Sequence, residues 1–334
     1  MSKIIIGIHG LGNKPPAKIL EKWWKNSIRE GLSAFGYKKY FFKFKLVYWA
    51  DILHPDPLNP NLKDKENPIY LHEPYVRAEN YERQAPSHLK RKILDYIEKQ
   101  LDSLFLNDDM SINFTNVTDL IVRHFFTDLD IYYSNKRIQQ DNSSFFVRVI
   151  IRDKLAGVLK KYLKKEILLI GHSMGSIIAY DVLTQTAPDV QVDTLVTPGS
   201  PLGLAIIVNR IKMEQNKKIS KLSQLCTPEN VTRHWFNLSD LRDKVTLNYN
   251  LSDDYDKNKK KIKPVDKIVY NNYKYNDEEN PHKSYGYLRT PEMAEIINTF
   301  LTRGNSKIRL WIEDKIERIF SKKFKRQSND SPKI

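Results

Sequence analysis

A chain of 334 residues with 40% hydrophobic content can bury one large core or two modest ones, which excludes a wholly disordered protein. The formal net charge of +15 would suit nucleic acid, anionic headgroups or an acidic partner, yet much of it sits in Lys257 to Lys263 and Lys322 to Arg326, as solvated loops and a solvated tail would also give. The single cysteine, Cys226, excludes an internal disulfide and argues against a zinc site, and with no leader-like start or apolar run of about 18 residues the expectation is a cytoplasmic protein.

In chain order, Ile4 to Ile8 reads as a buried strand delivering the turn His9-Gly10-Leu11-Gly12-Asn13. A helix over about Pro16 to Ser33 follows, then an edge or near-edge strand over Tyr40 to Tyr48, where Lys43 and Lys45 alternate with aromatic and β-branched residues. From Ile52 to Ser144 a proline-rich start gives way to helical periodicity near Leu89 to Leu106 and Val117 to Phe126, read as an inserted helical cap. Val147, Ile151, Leu155, Val158 and Tyr162 recur at helical spacing, and Lys160 to Lys165 suits a helix C-terminus. Strands over Ile167 to Ile170, Val192 to Val196, His234 to Leu238 and Lys267 to Tyr273, with helices over Ser176 to Thr184 and Pro291 to Leu301, predict a mainly parallel sheet covered on both faces, a three-layer αβα sandwich. The core is then 1–51 with 145–304, the cap 52–144, and a basic amphipathic ending 305–334.

Gly171-His172-Ser173-Met174-Gly175 lies directly after a strand and directly before a helix, the context a G-x-S-x-G nucleophile turn requires. Small residues are needed there because the chain passes close to itself, and the Met174 N–H at the helix start is the natural first donor to an oxyanion. A serine hydroxyl needs an imidazole to take its proton and a carboxylate to orient that imidazole, in the order Ser, acid, His for this kind of turn. Beyond Ser173 only His234 and His282 remain, and His282, in the loop Asn280 to Tyr285 after the last strand, alone follows a plausible acid. Asp240 and Asp243 both emerge from the C-terminal end of the strand His234 to Leu238, where sites of open α/β sheets gather. The acid that does not serve should pair with Arg242 or Lys244 or cap a turn.

His9-Gly10-Leu11-Gly12, the Gly171 to Gly175 turn, Asp243-Lys244-Val245 and His282 together resemble the α/β-hydrolase superfamily over most of the chain. The resemblance implies a serine esterase or lipase-like site in which Leu11 supplies the second oxyanion N–H, and it favours Asp243 over Asp240. Thr197-Pro198-Gly199-Ser200-Pro201-Leu202-Gly203 also looks like lipase and acyltransferase relatives. The chain starts at what would be the family's third strand, so the first strands should be missing from the sheet.

Such a site would cleave lipid-like or small-molecule carboxylic esters through an acyl-enzyme, with no metal or organic cofactor. A thioesterase, an acyltransferase, or a non-catalytic binding protein on the same fold are the alternatives, and no motif supports nucleic-acid binding. Tyr70, Tyr75, Tyr81, Phe105, Phe125, Phe126, Tyr132 and Tyr133 could line an acyl pocket or pack a subdomain core. In the tail, Ile308, Trp311, Ile312, Ile316, Ile319 and Phe320 share a helical face, which would either dock on the domain or make peripheral contact with an anionic membrane.

Overall fold

Apolar runs that have no polar face to show to water must be covered on both sides, and three such runs, with three strands of mixed polarity beside them, build the centre of this protein. They are β1 (Lys3–Ile8), β2 (Phe44–Val47), β3 (Glu166–Gly171), β4 (Val192–Pro198), β5 (Val231–Ser239) and β6 (Pro264–Ile268). In the computed structural model, which describes residues 2–37, 41–81, 129–134, 136–140, 143–216, 224–246 and 248–304, they form one parallel sheet of order β6-β5-β4-β3-β1-β2. The chain leaves β1 to one side for β2 and returns on the other for β3, so the topological switch lies between β1 and β3. Ile8 pairs with Gly171 there, and the two strands end side by side. A crevice outside the strand ends is where open α/β sheets hold ligands.

One face is covered by α1 (Ala17–Ala34), α5 (Ser284–Leu288) and α6 (Pro291–Thr302), the other by α2 (Val147–Lys161), α3 (Met174–Asp181) and α4 (Ala205–Asn216). Leu20, Trp24, Ile28 and Leu32 recur every four residues on α1 and pack with Ile5, Leu168 and Ile170. Ile151, Leu155 and Leu159 of α2 and Ile177 of α3 pack with Ile4, Ile6 and Leu169 on the opposite face. Gly7 is what lets α1 approach: a Cβ there would stand 2.8 Å from the Trp24 ring. The result is the expected αβα sandwich, and among the described residues no further strand joins the sheet. No helix among them is long and apolar enough to cross a membrane.

Several boundaries differ from expectation. The sheet's last strand is Pro264–Ile268, not Lys267 to Tyr273. Its ladder with β5 runs from Pro264 opposite Trp235 to Ile268 opposite Ser239; one more bond, from the Val269 N–H to the Ser239 carbonyl, closes it where β5 ends. Val269 and Tyr273 look like strand residues because they are apolar, but they are buried against the α1 side of the core. Proline is admitted at the start of β6 because the strand lies at an edge. β2 is likewise an edge strand, as expected, but begins at Phe44. The helix after the Gly171 to Gly175 turn begins at Met174 and passes into a single π turn over Val182–Thr186. α6 has Pro291 in its first turn and the Thr290 side chain accepting from the Met293 N–H.

Residues 53–81, at the start of the supposed cap, contain no helix; they run as an irregular strap whose last part lies along α1, with Tyr75 stacked on Trp23 and Tyr81 edge-on to Phe35. Buried Glu30 of α1 holds it, accepting from Tyr75 Oη at 2.9 Å, the Ala78 N–H at 2.6 Å and Tyr81 Oη. Arg289 adds a bond from Nη1 to the Val76 carbonyl at 2.7 Å. The helical stretches read near Leu89 to Leu106 and Val117 to Phe126 lie outside the described residues, as does the amphipathic ending 305–334.

Candidate functional site

At the end of β3 the backbone must reverse into α3 within two residues, and the strain falls on Ser173, with φ 55° and ψ −129°. For a residue other than glycine such geometry costs about 1–3 kcal/mol and persists only where the surroundings enforce it. The Ser173 N–H donates to the Pro198 carbonyl at 3.1 Å, and the His172 N–H to Ile8 at 3.1 Å. A Cβ on Gly175 would stand 2.4 Å from the Ile8 carbonyl oxygen, and one on Gly171 would stand 2.7 Å from the Gly175 oxygen. The two glycines are therefore what allow the turn to pass the end of β1.

Ser173 Oγ lies 2.9 Å from His282 Nε2. His282 Nδ1 lies 2.8 Å and 3.0 Å from the two carboxylate oxygens of Asp243. Asp243 has no exposed side-chain surface, and its other partners are donors: the Val245 N–H at 2.9 Å and Tyr287 Oη at 2.7 Å. With Asp243 accepting, Nδ1 carries the proton and Nε2 faces the serine as an acceptor. Asp240, the alternative acid, makes no hydrogen bond to His282. Its oxygens are taken up by Arg242 Nη2 at 2.7 Å and Nε at 3.1 Å, and by the backbone N–H groups of Arg242 at 2.8 Å and Asn271 at 2.6 Å. His234 sits exposed within β5, stacked on Phe236.

The turn after β1 closes the other side. Gly10 packs so tightly on Ser173 that a Cβ would lie 2.6 Å from Ser173 Cβ. His9 is buried, and burial, with Lys14 next, lowers its pKa to about 3. The neutral ring donates from Nδ1 to the Gly10 carbonyl at 2.8 Å and accepts at Nε2 from the Trp49 N–H at 3.0 Å, stacking on the Trp49 indole. Gly12, with φ 75°, turns the chain, and Lys14 Nζ gathers the carbonyls of Leu11 and Gly12. With its carbonyls drawn outward in this way, the turn leaves the Leu11 N–H without an acceptor among the described residues, as the Met174 N–H is at the start of α3.

A cavity of about 430 Å³ opens in front of Ser173. Leu20, Trp24 and Tyr285 from the core and Leu58, Tyr70 and Leu71 from the strap form its walls. Among the aromatic residues weighed as pocket lining, Tyr70 is there. Tyr75 and Tyr81 instead bond Glu30, and Tyr132 and Tyr133 are buried beside α2 and α3; Phe105, Phe125 and Phe126 lie outside the described residues. No group of three or more His, Cys, Asp or Glu among the described residues could hold a metal ion.

Residues 113–249 match the model of the PGAP1-like alpha/beta domain. This is an α/β-hydrolase-type family with serine-esterase-like members, in accord with the parallel sheet and the strained turn. The match covers less than half of the chain. No curated protein matches the sequence. The PGAP1-like region contains Ser173 and Asp243, whereas the His9 to Gly12 turn precedes it and His282 follows it.

Sequence reasoning missed three contributors. In the sequence His172 is only the variable position of the G-x-S-x-G motif. Burial, then the neighbouring His282, push its pKa well below the ordinary value, and the neutral ring donates from Nε2 to the His282 carbonyl at 2.8 Å. Tyr287 ties the two acids together, donating to Asp243 while accepting from the Asp240 N–H at 3.0 Å. Glu73 of the strap meets the His282 loop at Asn280 and Lys283. His172 alone had a local signal, its place beside the serine; the others are joined by folding across 44 residues or more.

Proposed function

We propose that this α/β-hydrolase-fold protein is a serine hydrolase that cleaves carboxylic esters, lipid-like or small, through an acyl-enzyme. Ser173 attacks the ester carbonyl while His282 Nε2 takes its proton, and Asp243 holds the ring in the required tautomer and stabilises the imidazolium. The negative charge that develops on the carbonyl oxygen is met by the Leu11 and Met174 N–H groups, the latter at the positive end of α3. His282 then returns its proton to the leaving alcohol, and a water activated by the same imidazole attacks the acyl-enzyme carbonyl and releases the acid.

The observation that carries this reading is the continuous hydrogen-bonded relay from Ser173 through His282 to Asp243, at 2.9 and 2.8 Å, starting on a strained serine. The largely apolar cavity suits an acyl group. Hydrolysis of p-nitrophenyl esters from acetate to palmitate tests it: turnover is expected in the native protein, with a chain-length optimum set by the cavity, and is expected to be lost in Ser173→Ala. Equal turnover in both proteins would overturn the assignment.

A further inference from the structure

The loop that presents His282, residues 280–283, belongs to neither a strand nor a helix, so something must fix it. Besides the Tyr273 carbonyl, which accepts from the Asn280 N–H at 3.1 Å, and Asp243 on the His282 ring, three side chains from outside grip it. Asn271 Nδ2 donates to the Pro281 and Lys283 carbonyls at 2.8 Å each, and His172 holds the His282 carbonyl. The third grip comes from the strap. Glu73 Oε1 accepts from Asn280 Nδ2 at 2.7 Å and Oε2 from Lys283 Nζ at 2.7 Å, so one carboxylate spans the loop on both sides of the histidine. Asn280 passes the contact on, because its Oδ1 accepts the N–H of His282 at 3.0 Å.

The strap is a firm base for such a clamp. Immediately after Glu73, the Pro74 carbonyl accepts from Tyr273 Oη at 2.7 Å, and Val76, Tyr75 and Ala78 are bonded to Arg289 and Glu30. Burial alone would raise the Glu73 pKa, but the Lys283 ammonium and the hydrogen bonds from Lys283 and Asn280 outweigh it and hold the carboxyl below its ordinary range. With both oxygens engaged, Glu73 is poorly placed to move protons itself, although it borders the cavity.

From this geometry we infer that Glu73 is a positioning residue for His282: through Asn280 and Lys283 the inserted segment sets where the base stands relative to Ser173. This rests on the hydrolase reading above. A misplacement of about 1 Å at a reacting group can cost on the order of 100-fold in rate, so loss of the clamp should show in kcat.

The test compares native protein with Glu73→Ala, Glu73→Gln, Asn280→Ala and the Glu73→Ala/Asn280→Ala double variant, measuring kcat and KM on the best p-nitrophenyl ester and thermal unfolding. Glu73→Ala and Asn280→Ala are each expected to lower kcat about tenfold or more with KM within about twofold. The double variant should fall little further, and Glu73→Gln, whose carbonyl oxygen still accepts from Asn280, should recover most of the rate. If Glu73→Ala does not fold, Glu73→Leu, which removes the acceptor while filling the space, takes its place in the same comparison. Native kcat in the alanine variants, independent losses that multiply in the double variant, or a change confined to KM would each overturn the positioning role. Absence of turnover in the native protein would instead overturn the hydrolase reading.

Discussion

At the scale of single residues, two aspartates three positions apart are sorted by what surrounds them. Asp243 lies beneath His282 with no exposed side-chain surface, and each partner of its carboxylate is a donor. Asp240 is spent on Arg242 and the Asn271 N–H, which hold the turn between β6 and the His282 loop. The two should fail differently. Asp243→Asn is expected to keep the fold and lower kcat by on the order of 10⁴, because the amide favours the wrong imidazole tautomer. Asp240→Ala is expected to lower the unfolding free energy by roughly 1–3 kcal/mol, by leaving the Asn271 N–H and Arg242 without their acceptor, before any effect on kcat is considered. Steady-state kinetics beside denaturant unfolding separate them, and equal catalytic defects at equal stability would contradict the division.

At the scale of elements, the site is assembled where β1 and β3 end side by side, and the strap is tied to it through a buried ion pair. Glu30 and Arg289 are 3.4 Å apart and almost wholly buried, and between them they hold Val76 and Ala78. Removing one partner of a buried pair typically costs about 3–5 kcal/mol, since the other charge is stranded. Glu30→Ala should therefore lower stability by that order and loosen the strap, read as faster amide exchange at Ala78, whose N–H donates to Glu30. An unchanged melting point with unchanged protection would contradict it. Here too lies the boundary of what was legible in the sequence. The buried strands, the sharp Gly171 to Gly175 turn and the placing of His282 in a loop beside Ser173 were legible because their signals are local: an apolar run, glycines two residues either side of a serine, a histidine in a polar loop. The strap was not, because residues 53–81 have no periodicity and are ordered by Glu30 and Arg289, far away in the chain. α4 (Ala205–Asn216) drew no expectation, and the last strand, expected over Lys267 to Tyr273, lies at Pro264–Ile268 because apolar content does not reveal where a partner strand ends.

At the scale of the whole molecule, burying neutral imidazoles makes the fold sensitive to acid. His9 is held neutral with its pKa lowered, chiefly by burial, from 6.5 to about 3, and His172 is lowered in the same direction. Between these values the unfolded chain binds more protons than the folded one, so stability rises with pH. The contribution is complete above about pH 6.5 and is lost as the pH falls towards 3. For His9 alone the expected loss between pH 7 and pH 4.5 is on the order of 2–3 kcal/mol. Denaturant melts at both pH values should show it, with a smaller difference in His9→Gln; an identical pH dependence in the variant would contradict the assignment.

The central claim, that Ser173 is a nucleophile activated by His282, is tested most directly by treating the native protein, Ser173→Ala and His282→Ala with a fluorophosphonate and locating the adduct by peptide mass. The account requires one adduct on the peptide carrying Ser173 in the native protein, none in Ser173→Ala, and far slower labelling in His282→Ala. An adduct elsewhere, or a native protein that resists the probe while folded, would contradict it.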